Sequence, residues 1–166
     1  MRKPKTDFLA ILKILVAHNV DFIVVGGVCA VLHGAPISTF DLDVVHSRAP
    51  DNIDRLLAAL ETLEANYRGP WVPKRKPSPS HLLSPGHQLL MTLAGPLDVL
   101  GAIGKGYGYD DLLKQTVTLE VDEGLKIRVL NLDTLIKTKE EAGRDKDKAV
   151  LPILRRTLEE KSKPSS

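Results

Sequence analysis

With 166 residues, the chain has the length of one domain that can bury a core without disulfide or metal staples, and two structural domains are not expected. Hydrophobic residues at 43% and charged residues at 27% are ordinary for a globular chain, and a formal charge of +2 excludes recognition of nucleic acid by bulk charge alone. The single cysteine, Cys29, excludes an intramolecular disulfide; with no cleavable leader and no apolar run of about 18 residues, the expectation is a cytoplasmic chain without a membrane partner.

Phe8, Ile11, Leu12 and Leu15 recur at three and four residues and predict a helix over residues 6–19. "FIVV" reads as a short buried strand. Gly26 and Gly27 end it and open a second helix, "VCAVLHG", which the stretch from Gly34 to Pro36 stops. "DLDVV" is the next strand, and Ile53, Leu56, Leu57, Leu60 and Leu63 predict a helix over 51–65. Residues 69–87, rich in Pro, Ser and basic side chains, read mostly as flexible loop with room for a short strand at either end.

"HQLLMTLAG" and "PLDVLG" predict two strands around a Gly-Pro turn, and "VTLEVDEGLKIRVL" a hairpin turning at Asp122 to Gly124. A helix then begins at an Asn131 N-cap and ends at Gly143. The last helix contains Pro152, whose ring and missing N–H mark either a kink or a new first turn. Residues 162–166 read as a frayed tail.

The chemistry concentrates in "VVGGVCAVLHGAPISTFDLDVV". On an extended strand, residues two apart share a face with Cα atoms about 6.5–7 Å apart, so Asp41 and Asp43 point the same way while Leu42 enters the core. Two carboxylates so placed repel unless a cation lies between them. Mg²⁺ suits the pair because it takes hard oxygen ligands, usually one or two carboxylates with water and substrate phosphates. Gly26 and Gly27, at a helix N-terminus, would let phosphate oxygens approach free backbone N–H groups. Asp98, in "PLDVLG", is a third acid in an apolar strand, suited to share a metal and accept a proton from an attacking hydroxyl. Each motif alone also has a plain structural reading, since paired acids often sit at strand ends in water.

With these pieces together, the chain resembles the nucleotidyltransferase superfamily that includes DNA polymerase β, and especially its small prokaryotic members related to toxin–antitoxin systems. The resemblance rests on "VVGG", "STFDLDVV", "LDVLG" and "LIKTKEEAGRDKD" and spans residues 22–148. It implies an α+β fold with a mixed, mainly antiparallel sheet, flanking helices and a C-terminal helical extension. It implies Mg²⁺, or Mn²⁺, held by Asp41 and Asp43, with Asp98 as the third catalytic and metal-binding carboxylate. Gly26 and Gly27 would hold the triphosphate of an NTP, Thr39 would orient the loop or touch phosphate, and Lys139 and Arg144 would neutralise charge. Asp147, which follows in the pattern, suggests a structural pairing with Arg144 or Lys148. Lys139 has the competing reading of a solvated helix face shared with Glu140 and Glu141. Gly27 departs from the Ser found in many active members, which removes one hydroxyl contact to phosphate.

Other residues carry less. His33, His46, His81 and His87 lack metal-ligand spacing, and Cys29 reads as a small buried hydrophobe. "GAIGKGYGYD" lacks the full phosphate-loop pattern, and Tyr107 and Tyr109 there read either as rim residues or as a stacking surface for a base. "PKRKPSPS" reads as a solvated loop or an RNA backbone contact.

The function expected from the resemblance is transfer of a nucleoside monophosphate from an NTP to a hydroxyl of an RNA end, a protein or a small molecule. The toxin arm of a two-component pair, held by an antitoxin protein, is one form of it. A nucleotide-binding or partner-binding module of the same fold, without turnover, is the alternative.

Overall fold

The computed structural model describes residues 6–163. In chain order the elements are α1 (Phe8–Ala17), β1 (Phe22–Val25), α2 (Gly26–Leu32), β2 (Leu42–His46), α3 (Pro50–Thr62), β3 (Asn66–Tyr67), α4 (Pro79–Leu83), β4 (His87–Thr92), β5 (Gly95–Leu100), α5 (Tyr109–Leu112), β6 (Thr116–Asp122), β7 (Leu125–Leu130), α6 (Leu132–Ala142) and α7 (Asp145–Ser162). The seven strands form one sheet in the order β3-β4-β5-β2-β1-β7-β6. Only β2–β5 and β1–β7 pair in parallel, so the sheet is mixed and mainly antiparallel, as expected for an α+β fold.

Burial follows from each strand's place in the sheet. All four residues of β1 are buried, so both faces are covered at the centre. β4, near one edge, alternates exposed and buried residues, so one face is bare there. α1 packs with α3 and against β7, while α2 packs on α6 and α6 on α7. No helix is long and apolar enough to cross a membrane, among the described residues.

The helix termini follow the sequence closely. Asn131 accepts a hydrogen bond from the Thr134 N–H at 2.8 Å, and Gly143 closes α6 in the left-handed conformation at φ 62°. Pro152 lies inside α7, which continues through it to Ser162. Ser162 is therefore helical rather than part of a frayed tail, and residues 164–166 lie outside the described residues.

Three expectations change. Residues 69–87 are not all loop, because Pro79–Leu83 forms α4 and buries Leu82 completely. Ser78 followed by Pro79 is a favoured helix start that the Pro/Ser composition obscured. The β4–β5 turn falls on Leu93 and Ala94, since Gly95 and Pro96 already pair with Thr92 and Met91. Asp41 stands just before β2 rather than within it.

Candidate active site

The parallel pairing of β2 with β5 sets Asp43 directly opposite Asp98. Neighbours in register point to the same face, so two acids 55 positions apart in the chain become side-chain neighbours. Asp41, one residue before β2, joins them at the wall of a cleft of ≈ 680 Å³. Gly26, Arg68, Leu89, Lys139, Arg144 and Asp147 also line this cleft. The proposed acids and both proposed cations thus share one cavity.

Asp43 carries the strongest electrostatic stress. Burial raises its pKa first, and the Asp98 carboxylate beside it, by charge and hydrogen bonding, and the charge of Asp41 raise it further; Lys139 pulls the other way. The outcome is a carboxyl pushed up to about 7. Its Oδ1 is buried and receives no hydrogen bond from the described residues. A polar atom so placed is costly unless a partner arrives.

Among the described residues, no three carboxylate, imidazole or thiol groups already stand together as a cage for a metal ion. The donor set is nonetheless of the right chemistry for Mg²⁺: hard carboxylate oxygens, one of them buried and unpartnered, at an open cleft with room for water and phosphate. One oxygen of Asp98, Oδ1, is already engaged by Arg68 at 2.7 Å.

The two glycines have a steric reason beyond any contact with phosphate. Gly26 has φ +68°, and a Cβ there would collide with Asp43 Oδ2. It lets Asp43 lie against the start of α2. At Gly27 a Cβ would fall 2.5 Å from Thr39 Oγ1, so the Thr39 hydroxyl occupies the space that a serine side chain at 27 would need. Thr39 Oγ1 also donates to the Asp41 carbonyl at 3.2 Å and holds the turn into β2. Gly26 lines the cleft; Gly27 and Thr39 pack on each other and are not among its lining residues.

Also lining the cleft, Asp147 is 1% exposed and lies between two cations. Arg144 Nε donates to Asp147 Oδ2 at 2.7 Å, and Lys139 Nζ lies 3.5 Å from Oδ1. Burial would raise the Asp147 pKa, but the Arg144 hydrogen bond and the charges of Lys139 and Arg144 outweigh it and hold the carboxyl below its ordinary value. Asp147 pairs with Arg144 as the sequence suggested. Its second partner is Lys139 rather than Lys148, which also turns Lys139 into the cleft instead of outward with Glu140.

The residues set aside in the sequence have structural roles. Cys29 is buried and its thiol is pushed up to about 12, chiefly by desolvation, with Sγ donating to the Leu130 carbonyl. His33 and His46 are buried and hydrogen-bond the Leu130 and Leu82 carbonyls. Tyr109 is buried, while the Tyr107 hydroxyl donates to Glu141 at 3.3 Å. In the basic segment, the Arg75 guanidinium lies 5.1 Å from the centre of the Trp71 ring.

Arg68 was missed. It follows a two-residue strand and opens a Pro-rich stretch with no periodicity, so nothing in its neighbourhood marks it.

No protein-family model and no curated protein sequence matches the chain. Solved structures do. The Thermotoga maritima protein TM1012, a proposed nucleotidyltransferase, is 18% identical with a TM-score of 0.56, over 92% of this chain and 91% of that one. The lincosamide antibiotic adenylyltransferase LnuA, in its lincomycin-bound structure, is 12% identical with a TM-score of 0.61, over 92% and 98%. ANT(2")-Ia, in complex with adenylyl-2"-tobramycin, is 15% identical with a TM-score of 0.57, over 91% and 87%. At these identities the shared property is the fold, and the chain has the fold of these nucleotidyltransferases.

Proposed function

We propose that the chain is a Mg²⁺-dependent nucleotidyltransferase that moves a nucleoside monophosphate from an NTP to a hydroxyl acceptor. The observation that carries this reading is the in-register pairing of Asp43 with Asp98, in one cleft with Asp41, Lys139 and Arg144. Asp41 and Asp43, with Asp98, would hold the metal, which when bound neutralises phosphate charge and orients the phosphates.

The chain's own residues would do the rest. Lys139 and Arg144, oriented by Asp147, face the cleft as counter-charges for the triphosphate. Gly26 leaves backbone close to the phosphates, and Gly27 with Thr39 shapes the loop behind them. Asp98 accepts the proton of the acceptor hydroxyl as its oxygen bonds to the α-phosphorus. The bond from that phosphorus to the bridging oxygen breaks, and pyrophosphate leaves with the electron pair. Such transfer depends mainly on positioning and charge stabilisation, which suits a site built of carboxylates, cations and backbone donors.

The acceptor classes are an RNA end, a protein side chain or a small hydroxylated molecule; the names of LnuA and ANT(2")-Ia motivate the last. Action on RNA as a toxin restrained by an antitoxin protein is the RNA branch of the same chemistry. A binding module without turnover draws on Gly27, for which the packing of Thr39 supplies a separate reason.

The test is transfer of label from each α-labelled NTP, with and without Mg²⁺, to total RNA, to protein and to small hydroxylated molecules including lincomycin and tobramycin. Wild type should transfer only with metal, and Asp41→Asn should lose at least about 100-fold. Absence of metal-dependent NTP binding in the wild type would overturn the reading.

A further inference from the structure

Among the described residues, Arg68 is the one cleft-lining cation fixed to the β4 side of the acids, away from Lys139, Arg144 and Lys146 on α6, the joint that follows it and α7. Its main-chain N–H donates to the Leu89 carbonyl at 3.0 Å, and its side-chain Nη1 to the Leu90 carbonyl at 2.8 Å. Nη2 donates to Asp98 Oδ1 at 2.7 Å. The chain just beyond it is closed as well. Tyr67 N–H donates to the Arg75 carbonyl at 2.8 Å, and the Trp71 ring lies over Gly69, where a side chain would collide with it.

This geometry has a directional consequence. A guanidinium usually grips a carboxylate with two parallel bonds. Here Nη1 donates to a carbonyl and Nη2 alone meets the carboxylate, so Arg68 takes Asp98 end-on, through Oδ1. The other oxygen is left to the Asp43 side and the cleft. Asp98 is 13% exposed at its side chain, so a fixed neighbour decides which way the carboxylate turns.

We propose that Arg68 is the positioning residue of Asp98: anchored to the β4 backbone, it holds Oδ1 so that Oδ2 is presented to the acceptor hydroxyl. The proposal rests on the transferase reading above and adds to it a residue that acts through Asp98. Its requirement is geometric, because two bonds at fixed angles are needed, one to Leu90 and one to Asp98. A lysine at 68 would keep the charge but lacks the planar fork that makes both bonds.

The experiment compares Arg68→Met, Arg68→Lys, Asp98→Asn and the double variant Arg68→Met/Asp98→Asn in the full chain, by steady-state transfer from α-labelled NTP to the acceptor class that wild type uses. Binding of NTP with Mn²⁺ and thermal melting are measured beside it. Arg68→Met should lower kcat about 10–100-fold with KM for NTP unchanged, since small misplacement of a reacting group costs this much. Arg68→Lys should restore little of it. In the Asp98→Asn background, Arg68→Met should cost nothing more, because the residue it positions is gone.

Full restoration by lysine would show that charge alone matters and overturn the proposal. Additive losses in the double variant, an unchanged kcat in Arg68→Met, or joint loss of NTP binding and melting temperature would overturn it as well. If the wild type transfers nothing, the transferase reading fails and takes this proposal with it. Transfer by wild type and by Arg68→Met at equal rates defeats the proposal alone.

Discussion

Asp43 and Asp98 come from neighbouring strands in the middle of a seven-stranded sheet, whereas Lys139 and Arg144 come from a helix and the joint that follows it. The acids are placed by main-chain register and crowd one another, with Asp43 raised to about 7. The cations are placed by one buried carboxylate, Asp147, which is held below its ordinary value. One wall of the cleft therefore costs the fold stability and the other contributes it. Strain at a site of reaction and stability in its support are the usual division of labour in enzymes.

The comparison breaks most severely at Gly26. Alanine there must adopt φ +68° and place a Cβ against Asp43 Oδ2, with the rest of the Asp43 side chain behind it. A short carboxylate in a strand has little room to withdraw. Gly26→Ala should lose about 3 kcal/mol of stability, by urea unfolding, from left-handed backbone strain and the displaced acid together. Transfer activity should fall at least ~100-fold as Asp43 moves. An alanine variant with wild-type stability would show that the acid wall tolerates movement and that the crowding is not structural.

The acids were legible in the sequence as residues but not as a site. The alternation in "DLDVV" placed Asp41 and Asp43 on one face, yet their partner depends on which strand lies beside β2. Register between strands whose paired acids lie 55 positions apart is fixed by tertiary packing that no local pattern records. Asn131 and Gly143 were readable because capping is local chemistry. In the sequence Gly26 and Gly27 point only to exposed backbone, while the structure gives them a further task, making room for Asp43 and Thr39. Arg68 left no trace because its anchors, the Leu89 and Leu90 carbonyls, are main-chain atoms of another strand.

A smaller effect, of opposite sign, tests the strain on the acid wall directly. The folded-state pKa of Asp43 lies above its unfolded value, so between pH 4 and 7 the unfolded chain gives up a proton that the folded chain keeps. Stability then falls as pH rises through that window and stays lower above it. Asp43→Asn removes this loss. In metal-free buffer it should be about 2 kcal/mol more stable than wild type at pH 8 and nearly equal at pH 4, by urea unfolding, while transfer is abolished. Mg²⁺ with NTP should raise the melting temperature of wild type and not of the variant. A variant less stable than wild type at pH 8 would mean that Asp43 is stabilised by its surroundings.

Asp147 gives the smallest of these effects and the mirror-image pH dependence. Its folded pKa is depressed, so its contribution is complete above the ordinary carboxylate range and disappears as pH falls through the lowered folded value. Asp147→Asn keeps the shape but loses the charge that both cations meet. Asparagine can still accept a hydrogen bond from Arg144, and Arg144 is half exposed to water, so the cost should be about 1–2 kcal/mol at pH 7. The difference from wild type should shrink as pH falls through the lowered folded value, as the wild-type carboxyl becomes protonated in the folded state too. Lys139 and Arg144, no longer held together, should bind NTP several-fold more weakly, read as a rise in KM with kcat little changed. Loss of kcat at constant KM would instead assign Asp147 to the acid wall, because only groups that meet the reacting centre should slow turnover without weakening the ground-state complex.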